Sequence, residues 1–193
     1  MSEQIEKISF QVRIVNFLNN NKKLLLIIFT SFLIIISIAL FYKNAQTKKD
    51  AKIAEQYIKA KNFVKSKNNN KAKEILENII SDNHKFYSAL ALYILIENEI
   101  EKDDQKILTY FDKIVKNKSI DKNSIDLIKI KKALFLFSTE DEDLLIKTLN
   151  PIINSNSVWR KQAINLIADY FLSKGENIKA EEYYKLLVIK KGQ

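Results

Sequence analysis

The sequence contains one uninterrupted apolar run from Leu24 to Tyr42, LLLIIFTSFLIIISIALFY, with no charge, glycine or proline. Folded as a helix, a run of this length extends about 28 Å, close to the roughly 30 Å hydrocarbon core of a bilayer. A continuous helix also pairs its backbone N–H and C=O groups internally, as lipid requires. Lysines flank the run on both sides, and Phe41 and Tyr42 lie where interfacial aromatic residues are expected. The run therefore predicts a single transmembrane helix.

Two other structures are compatible with such a run. The first is the h-region of a cleaved signal peptide, but such regions usually have about 7–15 residues and end at a small-x-small site, for which Ser37 to Ala39 is a poor candidate. The second is a buried helix of a soluble domain. Such a helix would carry polar residues along one face, whereas this run contains only Thr30, Ser31 and Ser37. Both alternatives fit the sequence less well than a membrane span.

The membrane helix divides the chain into three parts: a short N-terminal segment, 1–23; the transmembrane helix, 24–42; and a domain, 43–193. The domain is long enough to bury its own hydrophobic core. Near the N-terminus, apolar residues recur at helical spacing (Ile5, Ile8, Val12 and Val15). This spacing is typical of an amphipathic helix on a membrane surface, and a frayed tail fits the segment equally well.

The basic composition is poorly suited to nucleic-acid binding. The net charge is +9, but only Arg13 and Arg160 among the 32 cationic residues are arginine. Phosphate recognition tends to use the bidentate arginine fork, so we expect no nucleic-acid partner. The abundance of Ile, Asn and Lys, all encoded by A/T-rich codons, accounts for the lysine content without any partner. Anionic lipid headgroups suit the lysines that follow the apolar run, Lys43, Lys48, Lys49 and Lys52.

Charge alone leaves the membrane orientation open. Lysines lie on both sides of the run and are more numerous after it. Read literally, the positive-inside rule places the C-terminal domain in the cytoplasm, but long domains translocate largely regardless of charge. The chain has no cysteine, so disulfides, lipoprotein acylation and thiolate metal ligands are excluded. Such a domain is compatible with an oxidising compartment.

From Ala51 onward the sequence predicts an all-α domain. The chain has only 2 glycines and 1 proline, and apolar residues recur at i, i+3 and i+4 rather than in alternation. Thr139 with Glu142 fits a capping box, and Pro151 lies near the end of a helix that it is able to kink. Short polar clusters separate the predicted helices 48–67, 71–81, 86–101, 104–117, 124–137, 140–153, 158–174 and 177–190.

Every second predicted helix carries the same apolar pattern, at offsets 0, 3, 4, 7 and 8, with Thr148 as a polar exception in the third copy. The pattern begins at Ala72, Ile107, Leu145 and Ala180, which are 35, 38 and 35 residues apart. This spacing is close to the period of about 34 residues that tetratricopeptide (TPR) helical hairpins show. The sequence therefore predicts a TPR-like α-solenoid of about four degenerate helical hairpins.

The last predicted hairpin resembles the TPR consensus most closely. Ala168 and Ala180 are the small residues that let the two helices approach, and Phe171 and Tyr184 are the aromatic residues that fill the space against neighbouring helices. Gly175 follows the first helix, where a left-handed backbone commonly ends a helix. We expect these five residues to define the packing of the hairpin.

An N-terminal anchor followed by four degenerate TPR-like hairpins resembles the bacterial family of ancillary SecYEG translocon subunits. The likeness is strongest from Leu144 to Leu187, and Val158-Trp159-Arg160 followed by Ala163 is similar to the entry to the last repeat in alphaproteobacterial members. The segment that begins at Phe86 is similar to the opening of their second repeat. The chain differs from the family after the last hairpin, where many members continue.

The resemblance implies a single-pass protein of the bacterial inner membrane, with a cytoplasmic N-terminus and a periplasmic TPR-like domain. It implies a non-enzymatic adaptor that needs no cofactor and has protein partners: translocon subunits, a periplasmic chaperone or emerging chains. The alternative is a TPR scaffold for envelope assembly or cell division, with no link to the translocon. TPR arrays bind through the surface that the first helices of their hairpins line, but the sequence does not say which residues of this surface are exposed.

No residue pattern predicts catalysis or metal binding. The sole histidine, His84, is interpreted as a surface turn residue. The acidic residues 140–143 lie at a helix start, where they complement the helix dipole, and a cation site is the less favoured interpretation. Trp159 is interpreted as a core residue at a repeat junction, with a ligand-stacking platform as the alternative.

Overall fold

A long helix, α1, begins at Lys22 and ends at Lys65. The computed structural model describes Val12, Phe17 and Asn20, then residues 21–139 and 141–188, without the side chains of Leu25 and Ile28. Most of the N-terminal segment that we interpreted as amphipathic therefore lies outside the described residues. The sequence predicts separate helices over 24–42 and 48–67, but the structure has one continuous helix there. No glycine or proline occurs between them, and Ala, Lys and Gln in 43–52 are good helix formers.

Within the described residues, α1 is the helix long and apolar enough to cross a membrane. Its large side chains between Leu24 and Tyr42 are exposed, as Leu26 at 64% and Phe41 at 78% illustrate. The hydroxyl groups of Thr30 and Ser37 donate to the carbonyl oxygens of Leu26 and Leu33, at 3.0 and 2.9 Å. Each of these two hydroxyl groups is therefore hydrogen-bonded to the backbone of α1.

Seven shorter helices follow α1, and the fold in the described part of the chain is all-α. The predicted solenoid of helical hairpins is confirmed. The helices are α2 (Asn69–Ser81), α3 (Tyr87–Glu97), α4 (Asp104–Val115), α5 (Lys122–Thr139), α6 (Glu142–Ile153), α7 (Arg160–Ser173) and α8 (Asn177–Val188). The chain divides into two compact units, Met1–Lys52 and Ile53–Gln193.

Several helix ends differ from their predicted positions. The helix predicted over 86–101 stops at Glu97, because Glu99 adopts a left-handed backbone (φ 49°) and the chain turns there. The helix predicted from Val158 begins at Arg160, with Trp159 as its N-cap residue. Pro151 lies inside α6, which continues to Ile153.

The predicted capping box of Thr139 with Glu142 is wrong. Thr139 is the last residue of α5, and its hydroxyl donates to the carbonyl oxygen of Leu136 at 3.1 Å. Asp141 caps α6 instead, because its carboxylate accepts from the backbone N–H of Leu144 at 3.0 Å. An aspartate at this position also complements the positive end of the helix dipole.

The described residues of the second unit form two hydrophobic cores, and α5 contributes to both. The first core joins the part of α1 after Ile53 to α2, α3 and α4, and includes Ile128 of α5. The second core joins α6, α7 and α8 to Ile130, Ala133 and Leu136 of α5. Helix α5 is therefore buried on two of its sides and connects the two cores.

Candidate protein-binding surface

The terminal hairpin places the five predicted packing residues as follows. Ala168 and Ala180 have no exposed surface, and Phe171 is 1% exposed. Gly175 has φ +76°, in the left-handed region, and follows Lys174, the C-cap residue of α7. Tyr184 is half-buried against the second core, and its hydroxyl donates to the carboxylate of Asp169 at 2.5 Å.

Phe171 stacks on an aromatic residue of α8 that is not among the five predicted packing residues. The ring of Tyr183 stacks on the ring of Phe171, with centroids 5.6 Å apart and an interplanar angle of 11°. The ammonium group of Lys179 lies 4.9 Å from the centroid of the Phe171 ring. Tyr183 therefore contacts α7 by ring stacking, and the adjacent Tyr184 contacts it by a hydrogen bond. The apolar spacing of the sequence does not distinguish these two roles.

The junction between the third and fourth hairpins is held by polar contacts. The half-buried Trp159 donates from Nε1 to the carbonyl oxygen of Asn123 at 2.9 Å. The hydroxyl of Ser157 donates to Asp126, a buried carboxylate, at 2.7 Å. Trp159 also packs against the second core, so its position agrees with the interpretation as a junction residue.

His84 lies at a turn, and its side chain also caps a helix. Its Nδ1 atom accepts from the backbone N–H groups of Phe86 and Tyr87, each at 3.1 Å. The imidazole therefore accepts hydrogen bonds from N–H groups at the start of α3, which have no acceptor within the helix. A lone histidine in a turn gives no sequence signal for this role.

A buried carboxylate joins the first two hairpins. Glu101, in the loop between α3 and α4, is 6% exposed and accepts from the backbone N–H groups of Lys102 and Asp103. Its other oxygen lies 3.1 Å from the ammonium group of Lys73 on α2 and 3.2 Å from that of Lys106 on α4. Lys106 also donates to Glu77 at 2.7 Å.

The environment of Glu101 favours its ionised form. Burial by itself raises the pKa of this carboxyl group, but the N–H of Asp103, the ammonium groups of Lys73 and Lys106 and the N–H of Lys102 together lower the pKa to about 2. The cluster is an internal ion-pair network of the hairpin stack. Sequence reasoning missed it because the partners lie on two different helices and one loop.

Two open grooves lie between first helices of successive hairpins. The first, groove A, has a volume of about 260 Å³ and is lined by Tyr93, Ile96, Glu97, Phe111, Lys131, Leu134, Phe135 and Ser138. The second, groove B, has a volume of about 270 Å³ and is lined by Tyr57, Lys61, Val64, Lys65, Ile94, Glu97 and Asn98. Glu97 of α3 borders both grooves, so they form neighbouring parts of one surface.

A lysine lies over a tyrosine ring in each groove. The ammonium group of Lys131 on α5 is 5.7 Å from the ring centroid of Tyr93 on α3. The ammonium group of Lys61 is 5.8 Å from the ring centroid of Tyr57, and both residues belong to α1. Burial raises the pKa of Tyr93 to about 12, so its phenol is neutral at physiological pH. Each groove therefore combines an aromatic wall with a cation at its edge.

The sequence predicts partner binding by the first helices of the hairpins but does not indicate which of their residues are exposed. Leu134, which is 48% exposed, and the half-buried Phe135 are the apolar residues that α5 leaves at groove A. The two residues belong to the same apolar sequence as buried positions of α5. Only the packing of α3, α4 and α5 distinguishes them from core residues.

The described residues include no group of three or more histidine, aspartate or glutamate side chains placed to hold a metal ion. Of the acidic residues 140–143, Glu140 lies outside the described residues. Asp141 caps α6, and Glu142 lies 3.5 Å from the ammonium group of Lys179. The carboxylates of Asp141 and Glu142 are thus engaged in a helix cap and an ion pair.

The stacked hairpins and the open grooves between their first helices define an α-solenoid of the protein-interaction class. The family model of the tetratricopeptide repeat-like domain matches residues 16–192, and the chain belongs to this family. No curated protein and no solved structure matches the chain. A TPR-like domain indicates an adaptor that binds other proteins, and such domains are typically non-enzymatic scaffolds.

Proposed function

We propose that the chain is a membrane-anchored adaptor in which residues 24–42 cross the bilayer once and the TPR-like domain binds a protein partner. The observation that carries the proposal is the apolar part of α1, whose exposed side chains are those that lipid would cover. The internal hydrogen bonds of Thr30 and Ser37 support it, since an unpaired polar group in hydrocarbon is costly. A cleaved signal sequence is the alternative identity for an apolar helix near the N-terminus.

Retention of the N-terminus tests the anchor. A short epitope placed before Met1 should remain on the full-length membrane-bound protein and should resist extraction with carbonate. Loss of the epitope with release of the TPR-like domain would identify α1 as a cleaved signal sequence. A variant with Ile34 and Ile35 both changed to Lys tests whether the apolar run itself holds the protein in the membrane. Two lysines at the helix centre make insertion less favourable by about 5–7 kcal/mol. This variant should leave the membrane fraction.

We further propose that the domain faces the periplasm beside the Sec translocon, in the inner membrane. The support is the resemblance of the anchor, the hairpin layout and the Val158-Trp159-Arg160 segment to ancillary translocon subunits. The partners would then be translocon subunits, a periplasmic chaperone or chains emerging from the translocon. Alkaline phosphatase fused after the domain should be active, and a reporter that works only in the cytoplasm should be silent. The reverse pattern would remove the translocon from the proposal.

Partner capture distinguishes the translocon from other envelope complexes. Purification of the full chain in mild detergent should recover translocon subunits or a periplasmic folding factor. A fluorescent fusion should then be distributed evenly over the inner membrane. Concentration at the septum, together with recovery of division or outer-membrane assembly proteins, would support the scaffold alternative.

A further inference from the structure

Helix α1 carries three lysines shortly after the apolar run, and its continuity fixes where they lie. The run ends at Tyr42, and Lys43, Lys48 and Lys49 follow within the same helix. At the rise of an α-helix, their Cα atoms lie about 1.5, 9 and 10.5 Å beyond that of Tyr42 along the helix axis. All three belong to the unit Met1–Lys52, and all three side chains are exposed.

The three lysines also face different directions around α1. Successive residues of an α-helix are rotated by about 100°. Lys48 is therefore rotated by about 140° from Lys43, and Lys49 lies about 100° further on, which leaves about 120° between Lys49 and Lys43. One cation thus lies on each side of the helix. We call Lys43, Lys48 and Lys49 together the basic collar.

The height of the basic collar matches the polar layer of a bilayer. The headgroup region adds about 5–8 Å to each side of the hydrocarbon core, and electrostatic attraction extends roughly 8 Å further at physiological ionic strength. With Tyr42 at the edge of the core, Lys43 lies among the headgroups, and Lys48 and Lys49 lie within electrostatic reach of them. Lysine side chains are also long enough to bring their ammonium groups towards this layer.

The protein itself offers these ammonium groups little competition. Among the described residues, no ion pair involves any of the three lysines. The sole carboxylate between Lys43 and Lys52 is that of Asp50, which accepts from Nε2 of Gln46 at 2.7 Å. A partner helix would contact one face of α1, whereas the cations lie on all sides. The surroundings that reach every side of a membrane helix are its lipids.

We propose that the basic collar binds the headgroups of anionic phospholipids and gathers these lipids around α1 at the membrane surface. The inference rests on the proposed anchor and goes beyond the adaptor function, because its ligand is a lipid rather than a protein. A lysine close to an anionic surface favours association about fivefold. Zwitterionic lipids carry no net charge, so the collar distinguishes lipids by their headgroups.

The test uses the full chain in vesicles of phosphatidylcholine and phosphatidylglycerol, with each lipid spin-labelled in turn on an acyl chain. Electron paramagnetic resonance separates lipid at the protein surface from bulk lipid and gives the relative association of the two. We expect phosphatidylglycerol to be favoured at least about threefold in about 0.1 M salt, and less than about 1.5-fold in about 1 M salt. Equal association of the two lipids at low salt would overturn the proposal.

Removal of the charges assigns the preference to the collar. The triple variant Lys43→Gln, Lys48→Gln and Lys49→Gln should lower it to less than about twofold at low salt. Lys22 and Lys23, at the other end of the apolar run, account for the remainder. An unchanged preference in this variant would show that the collar is not the site.

A second triple variant is the matched control for net charge. It carries Lys59→Gln, Lys61→Gln and Lys65→Gln, at exposed positions of α1 that belong to the unit Ile53–Gln193. Its preference for phosphatidylglycerol should equal that of the unmodified chain. An equal loss in both triple variants would assign the preference to net charge and overturn the proposed site.

Inorganic phosphate distinguishes a lipid site from a site for soluble anions. At equal ionic strength, phosphate should reduce the preference for phosphatidylglycerol no more than chloride does, because the site requires headgroups held at the membrane surface. A clearly stronger reduction by phosphate would assign the collar to soluble anions instead.

Flotation with vesicles of phosphatidylcholine alone separates this proposal from the anchor. The unmodified chain and both triple variants should float with these neutral vesicles, because the apolar run drives insertion. A chain that floats but shows no lipid preference refutes the collar and leaves the anchor in place. A chain that does not float refutes the anchor, and the collar with it.

Discussion

Arg160 donates a hydrogen bond from Nη2 to the carbonyl oxygen of Leu186 at 3.0 Å. Its Nε atom donates to the carbonyl oxygen of Ile153, the last residue of α6, at 2.9 Å. One guanidinium group therefore pairs a carbonyl oxygen of α8 with that of Ile153, which has no N–H partner within α6. A cation is also favoured by the negative end of the α6 dipole.

Replacement of Arg160 should loosen the last hairpin. Arg160→Ala leaves two carbonyl oxygens without their charged donor, and we expect a loss of about 1–2 kcal/mol in unfolding free energy. Arg160→Lys should recover only part of it, because an ammonium group lacks the planar fork that reaches two acceptors. Hydrogen exchange of the full chain in nanodiscs should show faster exchange in α8. Lys161→Ala, an exposed neighbour on α7, is the control and should change little.

Acid should weaken the contact between the first two hairpins. The ordinary pKa of a glutamate carboxyl is 4.5, and the pKa of Glu101 in the fold is about 2. The stabilisation is therefore fully present above about pH 4.5 and is lost as the pH falls towards 2. Thermal unfolding in nanodiscs should show a nearly constant melting temperature between pH 5.5 and about pH 4.5, and a falling melting temperature from there to pH 3.

Glu101→Gln identifies the source of this pH dependence. The variant should be less stable than the unmodified chain at pH 7, because Lys73 and Lys106 lose their shared carboxylate, and its melting temperature should change less between pH 5.5 and pH 3. Glu74→Gln, at an exposed position on α2, should leave the pH dependence intact. An equally steep acid response in both variants would assign the effect to other carboxyl groups.

The sequence could predict the solenoid but not most of its polar contacts. Helical period and low glycine and proline content are local properties, and the buried alanines Ala168 and Ala180 recur at the small positions of a known repeat. Glu101 binds partners on α2 and α4, and its charge has no periodic signature. The predicted N-cap residue of α6, Thr139, is two residues before the observed one, Asp141. Threonine and aspartate are both favoured at the N-cap, and the length of α5 decides between them.

Gly175 offers a test of backbone conformation that is free of packing effects. Its φ is +76°, and a Cβ atom added there would meet nothing within 4 Å. Gly175→Ala should therefore cost only the left-handed backbone penalty, about 1 kcal/mol in unfolding free energy. Gly175→Asn should cost less, since asparagine adopts this region more readily. Equal losses for alanine and asparagine in urea unfolding would mean that the turn is limited by something other than φ.

Ala180 tests the close approach of α7 and α8. Ala180 has no exposed surface, so Ala180→Leu adds three carbons where the helices meet. Overpacking of this kind typically costs about 1–3 kcal/mol. A terminal repeat has a neighbour on one side only, so we expect faster hydrogen exchange in Arg160–Ser173 and Asn177–Val188 before the rest of the domain unfolds. Glu181→Leu places the same side chain at the next, exposed position of α8 and should leave protection unchanged. If Ala180→Leu also leaves it unchanged, Ala180 does not set the approach of these helices, and the repeat register built on it must be revised.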